Sequence, residues 1–255
     1  MSHSFILVKR TNRIANIILN RPQVLNALNE VMRQEIFTAL DEMEKDPEID
    51  VIILTGAGRS FCAGVDLKDT RKETTESVEK IPWDIWDKVR NLDRPVIAAV
   101  HGHVVTGGLE LALACDIIIA SDDAIFGDTH ARLGVVPGGG NTQLLPRVVG
   151  IMKAKELLFT GNFISSHEAL NIGLVNKVVP RDRLASAVQE MAENILRGEQ
   201  TAVRKIKRMI HQGMKDLEEG LTFENLESIN WVKQMEKKGV KQFWSAMQER
   251  GQTPS

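Results

Sequence analysis

The feature that most constrains the fold is a series of short apolar runs, rich in β-branched residues, that alternate with helical patterns. Such runs occupy residues 14–19, 51–55, 96–100 and 116–120. Each ends at a turn signal, for example Asn-Arg-Pro or Gly-Ala-Gly, as strands commonly do. A helix between two such strands returns the chain to the same end of the sheet, so the strands that it joins run parallel. The sequence therefore predicts an α/β fold with parallel pairing.

The character of the chain changes near residue 200. Strand and helix patterns alternate in residues 1–200, which we expect to form the core and to contain the active site. From Leu184 onward the pattern is helical and increasingly charged. Residues 201–255 are too few to bury a large core alone. We therefore expect them to form a helical region that packs on the core or on a neighbouring subunit.

Charge limits the classes of partner. The chain has 255 residues with 32 basic and 34 acidic side chains, which gives a formal net charge of −2. Proteins bind DNA and anionic lipid through clustered, uncompensated Lys and Arg. We therefore expect no nucleic-acid partner and no membrane partner.

Cysteine use and hydropathy indicate the compartment. Cys62 and Cys115 lie 53 positions apart, without the neighbouring Cys or His that a zinc site or a disulfide framework needs. Residues 1–12 lack the apolar stretch of a signal peptide. The longest apolar stretches are shorter than the roughly 20 residues of a spanning helix. We expect a reduced, cytoplasmic protein that holds no metal.

One glutamate stands in an apolar helical stretch that starts at two glycines. Gly107 and Gly108 follow a predicted strand, and Glu110 comes next among leucines and alanines. The N–H groups at a helix start lack intrahelical acceptors, so they can stabilise an oxyanion. A carboxyl group buried in apolar surroundings has a raised pKa, which suits proton transfer. Glu110 is therefore a candidate acid/base residue, with a structural role as a cap or as the partner of an arginine as the alternative.

A polar group, Asp128-Thr129-His130, directly follows the strand predicted at residues 124–127. Enzymes with parallel sheets carry reactive residues at the carboxyl ends of strands, and imidazole exchanges protons near neutral pH. His130 is a candidate for proton transfer, with a hydrogen-bonded or surface turn histidine as the alternative. Asp128 is a weaker candidate, because capping of the following turn would also explain it. The glycine-rich residues 136–141 are expected to form a pocket wall.

Four motifs follow one another between residues 61 and 143. They are F-C-A-G-V-D-L at residues 61–67, R-P-V-I-A-A-V-H-G at residues 94–102, G-G-L-E-L-A at residues 107–112, and P-G-G at residues 137–139 with T-Q at residues 142–143. Together they resemble the crotonase (enoyl-CoA hydratase/isomerase) superfamily. The resemblance implies a crotonase-like spiral of repeated ββα units with a C-terminal helical trimerisation region. It also implies an acyl-CoA substrate, a homotrimer or a dimer of trimers, and no cofactor, since coenzyme A enters as part of the substrate.

The resemblance also assigns site residues. In the family two backbone N–H groups hold the thioester oxygen, and the matching positions here are Val65 and Gly107. The positions that match family contacts to coenzyme A and substrate are Val24, Leu25, Ala27, Ala63, Asp66, Leu67 and Gly108.

The sequence departs from the family at one catalytic position. Typical hydratases use two glutamates, one that activates water and one that handles the proton at the α-carbon. Glu110 matches the first, but His130 stands at the position of the second, 20 residues later. Imidazole transfers protons well near neutral pH, although its reach and its charge differ from those of a carboxylate.

We therefore expect an enoyl-CoA hydratase that adds water reversibly to a 2-enoyl-CoA, with Glu110 and His130 as catalytic residues. The altered position leaves other enzymatic outcomes open, namely isomerisation, thioester hydrolysis or decarboxylation of an unusual acyl-CoA. A further alternative is an acyl-CoA-binding protein that does not catalyse a reaction.

Overall fold

The computed structural model describes residues 4–66 and 85–213. In chain order the elements of these residues are β1 (Ile6–Thr11), β2 (Ile14–Leu19), α1 (Glu30–Lys45), β3 (Val51–Gly56), α2 (Ile85–Asn91), β4 (Val96–Val100), β5 (His103–Val105), α3 (Gly107–Leu113), β6 (Ile117–Ser121), β7 (Ile125–Gly127), α4 (His130–Leu133), α5 (Asn141–Val149), α6 (Ile151–Thr160), β8 (Ile164–Ser165), α7 (Ser166–Asn171), β9 (Lys177–Val179), α8 (Leu184–Leu196) and α9 (Gln200–Gly213). Short 3₁₀ turns occupy Pro22–Val24 and Arg181–Arg183.

Two sheets organise the described part of the chain. The larger sheet has six strands in the order β1-β2-β3-β4-β6-β9. From β2 to β9 its neighbours pair in parallel, which confirms the predicted α/β fold with parallel pairing. The smaller sheet has the order β5-β7-β8, with β5 and β7 parallel and β7 and β8 antiparallel.

Four strands differ from the sequence expectation. β5 and β8 were not expected, because runs of three and two residues carry no recognisable strand pattern. β1 was not expected; it pairs antiparallel with β2 at the sheet edge, and of its residues only Ile6 is buried, so its pattern is weak. The sequence of residues 174–179 predicts a last strand, but β9 begins only at Lys177. The N–H of Leu174 donates to the carbonyl oxygen of Ala169 at 2.8 Å. This hydrogen bond closes the end of α7, so the N–H is not available to a strand. Leu174 is buried without belonging to a strand.

The helix α1 shows how an amphipathic pattern covers the sheet. Asn29 caps it, since its side chain accepts the N–H of Met32 at 2.9 Å, a contribution of about 1 kcal/mol. Its residues Met32, Ile36 and Leu40 recur every four positions and are fully buried. The helix packs on β1 and β2. Burial of each of these side chains stabilises the fold by about 1.5–3 kcal/mol.

The chain divides into two compact units, Met1–Ala192 and Glu193–Ser255. The first contains both sheets and all candidate site residues that the structure describes. Most of the expected C-terminal region, residues 214–255, lies outside the described residues. Its role in trimerisation therefore stays a prediction.

Asn26 joins the loop before α1 to the loop after β3. It is fully buried, and its Nδ2 donates to the carbonyl oxygens of Ser60 at 2.8 Å, Ala57 at 2.9 Å and Phe61 at 3.2 Å. Its Oδ1 accepts the N–H of Arg21 at 2.8 Å. Its φ of 56° is one that asparagine tolerates better than most residues. One side chain therefore fixes two loops that reach the candidate site.

We predict that Asn26→Ala lowers the free energy of unfolding by about 2–3 kcal/mol, because it leaves buried backbone groups without partners. Urea denaturation at neutral pH measures this change. The control is Asn91→Ala at an exposed asparagine. Equal effects of the two substitutions would contradict the role assigned to Asn26.

Candidate active site

Three parallel chain segments end side by side at the candidate site. In the smaller sheet Val105 of β5 is the register partner of Gly127 of β7. A further parallel bridge joins Cys62 to Val104 of β5. The loops or helices that follow these segments begin at Ala63, Thr106 and Asp128. They carry most of the residues predicted to form the site. The strand pairing thus brings together motifs that are distant in sequence.

Val65 and Gly107 present neighbouring backbone N–H groups. Leu28 bonds to both neighbours of Val65, through Gly64 O at 2.8 Å and the N–H of Asp66 at 2.9 Å, so the N–H of Val65 faces away from Leu28. Gly107 is the first residue of α3, where an N–H has no intrahelical acceptor. Among residues 4–66 and 85–213 neither N–H donates to a backbone carbonyl. A Cβ on Gly107 would lie 3.3 Å from Val65 N, so the two donors are adjacent.

Five of the residues expected to contact coenzyme A or substrate lie on two connected loops: Val24, Leu25, Ala27, Ala63 and Asp66. The N–H of Ala63 donates to the carbonyl oxygen of Leu25 at 3.0 Å. Arg21 bridges the same two loops through an ion pair with Asp66 at 3.0 Å and a hydrogen bond to Ala27 O. Val24 is exposed beside them. Gly108 packs so closely on the carbonyl of Cys62 that a Cβ there would overlap it. Leu67 lies outside the described residues.

Glu110 is buried, with 2% of its surface exposed, as the sequence predicts. Its Oε1 accepts the N–H of Gly139 at 2.7 Å and, more weakly, that of Asn141 at 3.4 Å. The partner is therefore backbone and not the arginine considered as the alternative. Burial raises the pKa of Glu110 above its ordinary value, and the hydrogen bond from Gly139 and the charge of His130 only partly offset this. The Oε2 atom accepts no hydrogen bond from the residues that the structure describes.

His130 is buried and paired with Asp128. Its Nδ1 lies 2.8 Å from Oδ1 and 3.0 Å from Oδ2 of Asp128, and its backbone N–H donates to Oδ1 at 3.0 Å. Asp128 therefore caps the turn, which was the alternative explanation of this residue, and also orients the imidazole. Asn141 donates from Nδ2 to the other carboxylate oxygen. His130 is thus not a surface histidine.

The pKa values of this pair move apart. Burial acts to raise the pKa of Asp128, but the hydrogen bonds and charge of His130 and the bond from Asn141 bring it below its ordinary value. Burial acts to lower the pKa of His130, but Asp128 and the charge of Glu110 raise it above its ordinary value. Both shifts favour an aspartate that faces an imidazolium.

Several residues of the site were not singled out from the sequence. The indole N–H of Trp86 donates to Gly107 O at 3.0 Å, and Arg90 donates to Gly139 O at 2.8 Å, so α2 fixes both the start of α3 and the loop that binds Glu110. The glycine-rich residues 136–141 were expected to be a pocket wall. That expectation stays a prediction, and their central glycine, Gly139, binds the carboxylate of Glu110 through its backbone N–H.

Within residues 4–66 and 85–213 no group of three or more His, Cys, Asp or Glu side chains is placed to hold a metal ion. No helix of the same residues is long and apolar enough to cross a membrane.

Comparison with known proteins decides the family. A family model described as "Enoyl-CoA hydratase/isomerase" matches residues 9–253. The chain belongs to the enoyl-CoA hydratase/isomerase family. The short-chain-enoyl-CoA hydratase of Clostridium acetobutylicum is 40% identical over 225 residues, which cover 86% of each chain. A probable peroxisomal enoyl-CoA hydratase of Arabidopsis thaliana is 37% identical over 253 residues, 98% of this chain and 96% of the relative.

A solved structure supports the same conclusion. The enoyl-CoA hydratase of Bacillus anthracis superposes on this chain with a TM-score of 0.87 and is 37% identical to it. The match covers 95% of this chain and 96% of the Bacillus anthracis chain. The fold is therefore the crotonase fold that the sequence motifs predict, and the chain is an enzyme of this family.

We predict that Gly139→Ala destabilises the protein by about 1–3 kcal/mol, because a Cβ there would lie only 2.8 Å from both Glu110 Oε2 and Trp86 Cδ2. Gly138→Ala is the matched control, since its Cβ meets nothing within 4 Å. Thermal unfolding of the two variants measures the difference. A Gly139→Ala protein as stable as the control would show that the loop does not hold Glu110 as described.

Proposed function

We propose that the protein catalyses the reversible addition of water to a 2-enoyl-CoA thioester. The observation that carries this proposal is the buried Glu110 carboxylate beside a His130 imidazole that Asp128 holds in place. The hydratase names of the relatives support the same reaction class. In this proposal, histidine instead of glutamate at position 130 changes the group that carries the proton but not the reaction.

The thioester oxygen binds between the N–H groups of Val65 and Gly107. Attack at the β-carbon moves the electrons of the C=C bond onto this oxygen, which becomes an enolate oxygen. Two donors aimed at that oxygen stabilise the enolate more than the neutral carbonyl, and such donors are worth about 3–4 kcal/mol each in comparable sites. Their adjacency and their lack of backbone acceptors among the described residues support this role.

Glu110 acts as the base that activates water. Hydrogen bonds from Gly139 and Asn141 hold its Oε1, which leaves Oε2 for the incoming water. The water loses a proton to the carboxylate while its oxygen bonds to the β-carbon. The raised pKa of Glu110 makes it a better proton acceptor than an exposed glutamate.

His130 supplies the proton to the α-carbon. Because Nδ1 is engaged by Asp128, Nε2 is the nitrogen that can donate. Protonation of the α-carbon collapses the enolate and leaves a neutral imidazole beside a protonated Glu110. Proton exchange between the two groups, directly or through solvent, restores the starting state.

Other expectations from the sequence stay part of this proposal. Coenzyme A contacts Val24, Leu25, Ala27, Ala63, Asp66 and Leu67, and no separate cofactor takes part. A homotrimer or dimer of trimers, and a cytoplasmic location, also stay predictions.

We predict that Glu110→Gln lowers kcat for crotonyl-CoA hydration at least about 100-fold and leaves acyl-CoA affinity nearly unchanged. Loss of the enoyl thioester absorbance follows the reaction. Glu48→Gln, at an exposed glutamate, is the matched control. If the wild-type protein binds acyl-CoA tightly without turnover, the hydratase proposal fails in favour of isomerisation, hydrolysis, decarboxylation or binding alone.

The Asp128–His130 pair predicts a pH dependence. The active form has Glu110 ionised and His130 protonated, so kcat/KM falls at acid pH as Glu110 gains a proton and at alkaline pH as His130 loses one. Because Asp128 raises the pKa of His130, Asp128→Asn should move the alkaline limb to lower pH. Asp182→Asn, at an exposed aspartate, should leave it in place. An unmoved limb in Asp128→Asn would exclude His130 as the proton donor.

A further inference from the structure

Thr106, the residue before Gly107, has an unusual backbone. Its φ is 54° and its ψ is −114°. For a β-branched residue a positive φ is an outlier, and such a conformation persists only where the surroundings hold it. Thr106 is buried, and its N–H donates to Gly127 O at 2.9 Å. The strained residue is therefore tied to the segment that carries Asp128 and His130.

The side-chain hydroxyl groups of Thr106 and Thr129 also connect these two segments. The Oγ1 atoms of Thr106 and Thr129 lie 2.8 Å apart, and the N–H of Thr129 approaches Thr106 Oγ1 at 3.3 Å. Thr129 directly precedes His130, and Thr106 directly precedes Gly107. The pair therefore joins the residues just before the proposed oxyanion donor and the proposed proton donor.

The dihedral angles explain why this connection matters. Rotation about ψ of Thr106 turns the peptide plane that contains the N–H of Gly107. If Thr106 relaxed to a common β-branched conformation, that N–H would point elsewhere. The hydroxyl pair opposes this relaxation. It thereby fixes the direction of the Gly107 N–H relative to the segment that carries His130.

We propose that the Thr106–Thr129 hydroxyl pair is a positioning device that fixes the direction of the Gly107 N–H relative to His130. The inference rests on the proposed function, because it concerns how the oxyanion donor is aimed. Neither threonine transfers a proton to the substrate. Both act through the residue that follows them.

The test uses Thr129→Val, which replaces the hydroxyl by a methyl of similar size, and Thr129→Ser, which keeps the hydroxyl. Thr11→Val, at an exposed threonine, is the control. The probe is butyryl-CoA with a ¹³C-labelled carbonyl, which binds without being hydrated. Isotope-edited infrared spectroscopy measures the thioester C=O stretch, and turnover of crotonyl-CoA is measured alongside.

We expect wild-type protein to lower the C=O stretching frequency of bound butyryl-CoA relative to free butyryl-CoA. Thr129→Val should show a smaller shift and a kcat lowered about 10-fold or more, with KM little changed. Thr129→Ser and Thr11→Val should behave as wild type. If Thr129→Val does not fold, Thr106→Gly, which accepts the positive φ but lacks the hydroxyl, should show the same reduced shift.

The outcomes separate the two proposals. No binding of butyryl-CoA, or no carbonyl shift with wild-type protein, would refute the oxyanion step of the proposed function. A full shift in wild type that persists in Thr129→Val would overturn the positioning role alone. A loss in Thr129→Val that Thr129→Ser does not restore would likewise overturn it, because the effect would then not belong to the hydroxyl.

Discussion

The parallel pairing of β5 with β7 is the constraint on which the site depends. Its register sets Val105 beside Gly127, so the chain leaves the two strands at the same level and in the same direction. α3 starts from one strand and the Asp128–His130 turn from the other. An antiparallel pairing would carry these segments to opposite ends of the sheet. The bridge between Cys62 and Val104 adds the Gly64–Val65 loop to the same edge.

The second constraint is the burial of Glu110. An ionised carboxylate loses several kcal/mol of hydration on burial unless hydrogen bonds replace the water. Gly139 provides the main replacement through its backbone N–H, and α2 holds that loop in turn through Arg90. Backbone donors stabilise the charge without adding a cation, so the pKa of Glu110 stays raised. An arginine at the same place would favour the ionised form far more strongly and would make the carboxylate a weaker proton acceptor.

The sequence was sufficient for the parts of the fold and site that local patterns encode. Apolar runs revealed the parallel strands of the larger sheet but not β5, and the apolar surroundings of Glu110 revealed its burial. The edge strand β1 was missed because most of its side chains face solvent. The role of Gly139 was missed because it depends on a contact across 29 residues that no local pattern encodes. The positive φ of Thr106 could not be predicted, because a β-branched residue rarely adopts such a backbone and nothing in the sequence indicates it.

Histidine at position 130 acts together with the aspartate beside it. A carboxylate at position 130 would face Asp128 as a like charge, and both could not ionise at hydrogen-bonding distance. Imidazole makes the same aspartate an attractive partner. With its proton the Asp128–His130 pair has no net charge, as a carboxylic acid has none; without the proton it carries one negative charge, as a carboxylate does. In the proposed reaction Glu110 therefore experiences the same change of net charge on proton transfer as it would beside a second glutamate. In the proposed reaction the histidine thus preserves the electrostatics of the step, and because Asp128 engages Nδ1, Nε2 is the nitrogen that carries the proton.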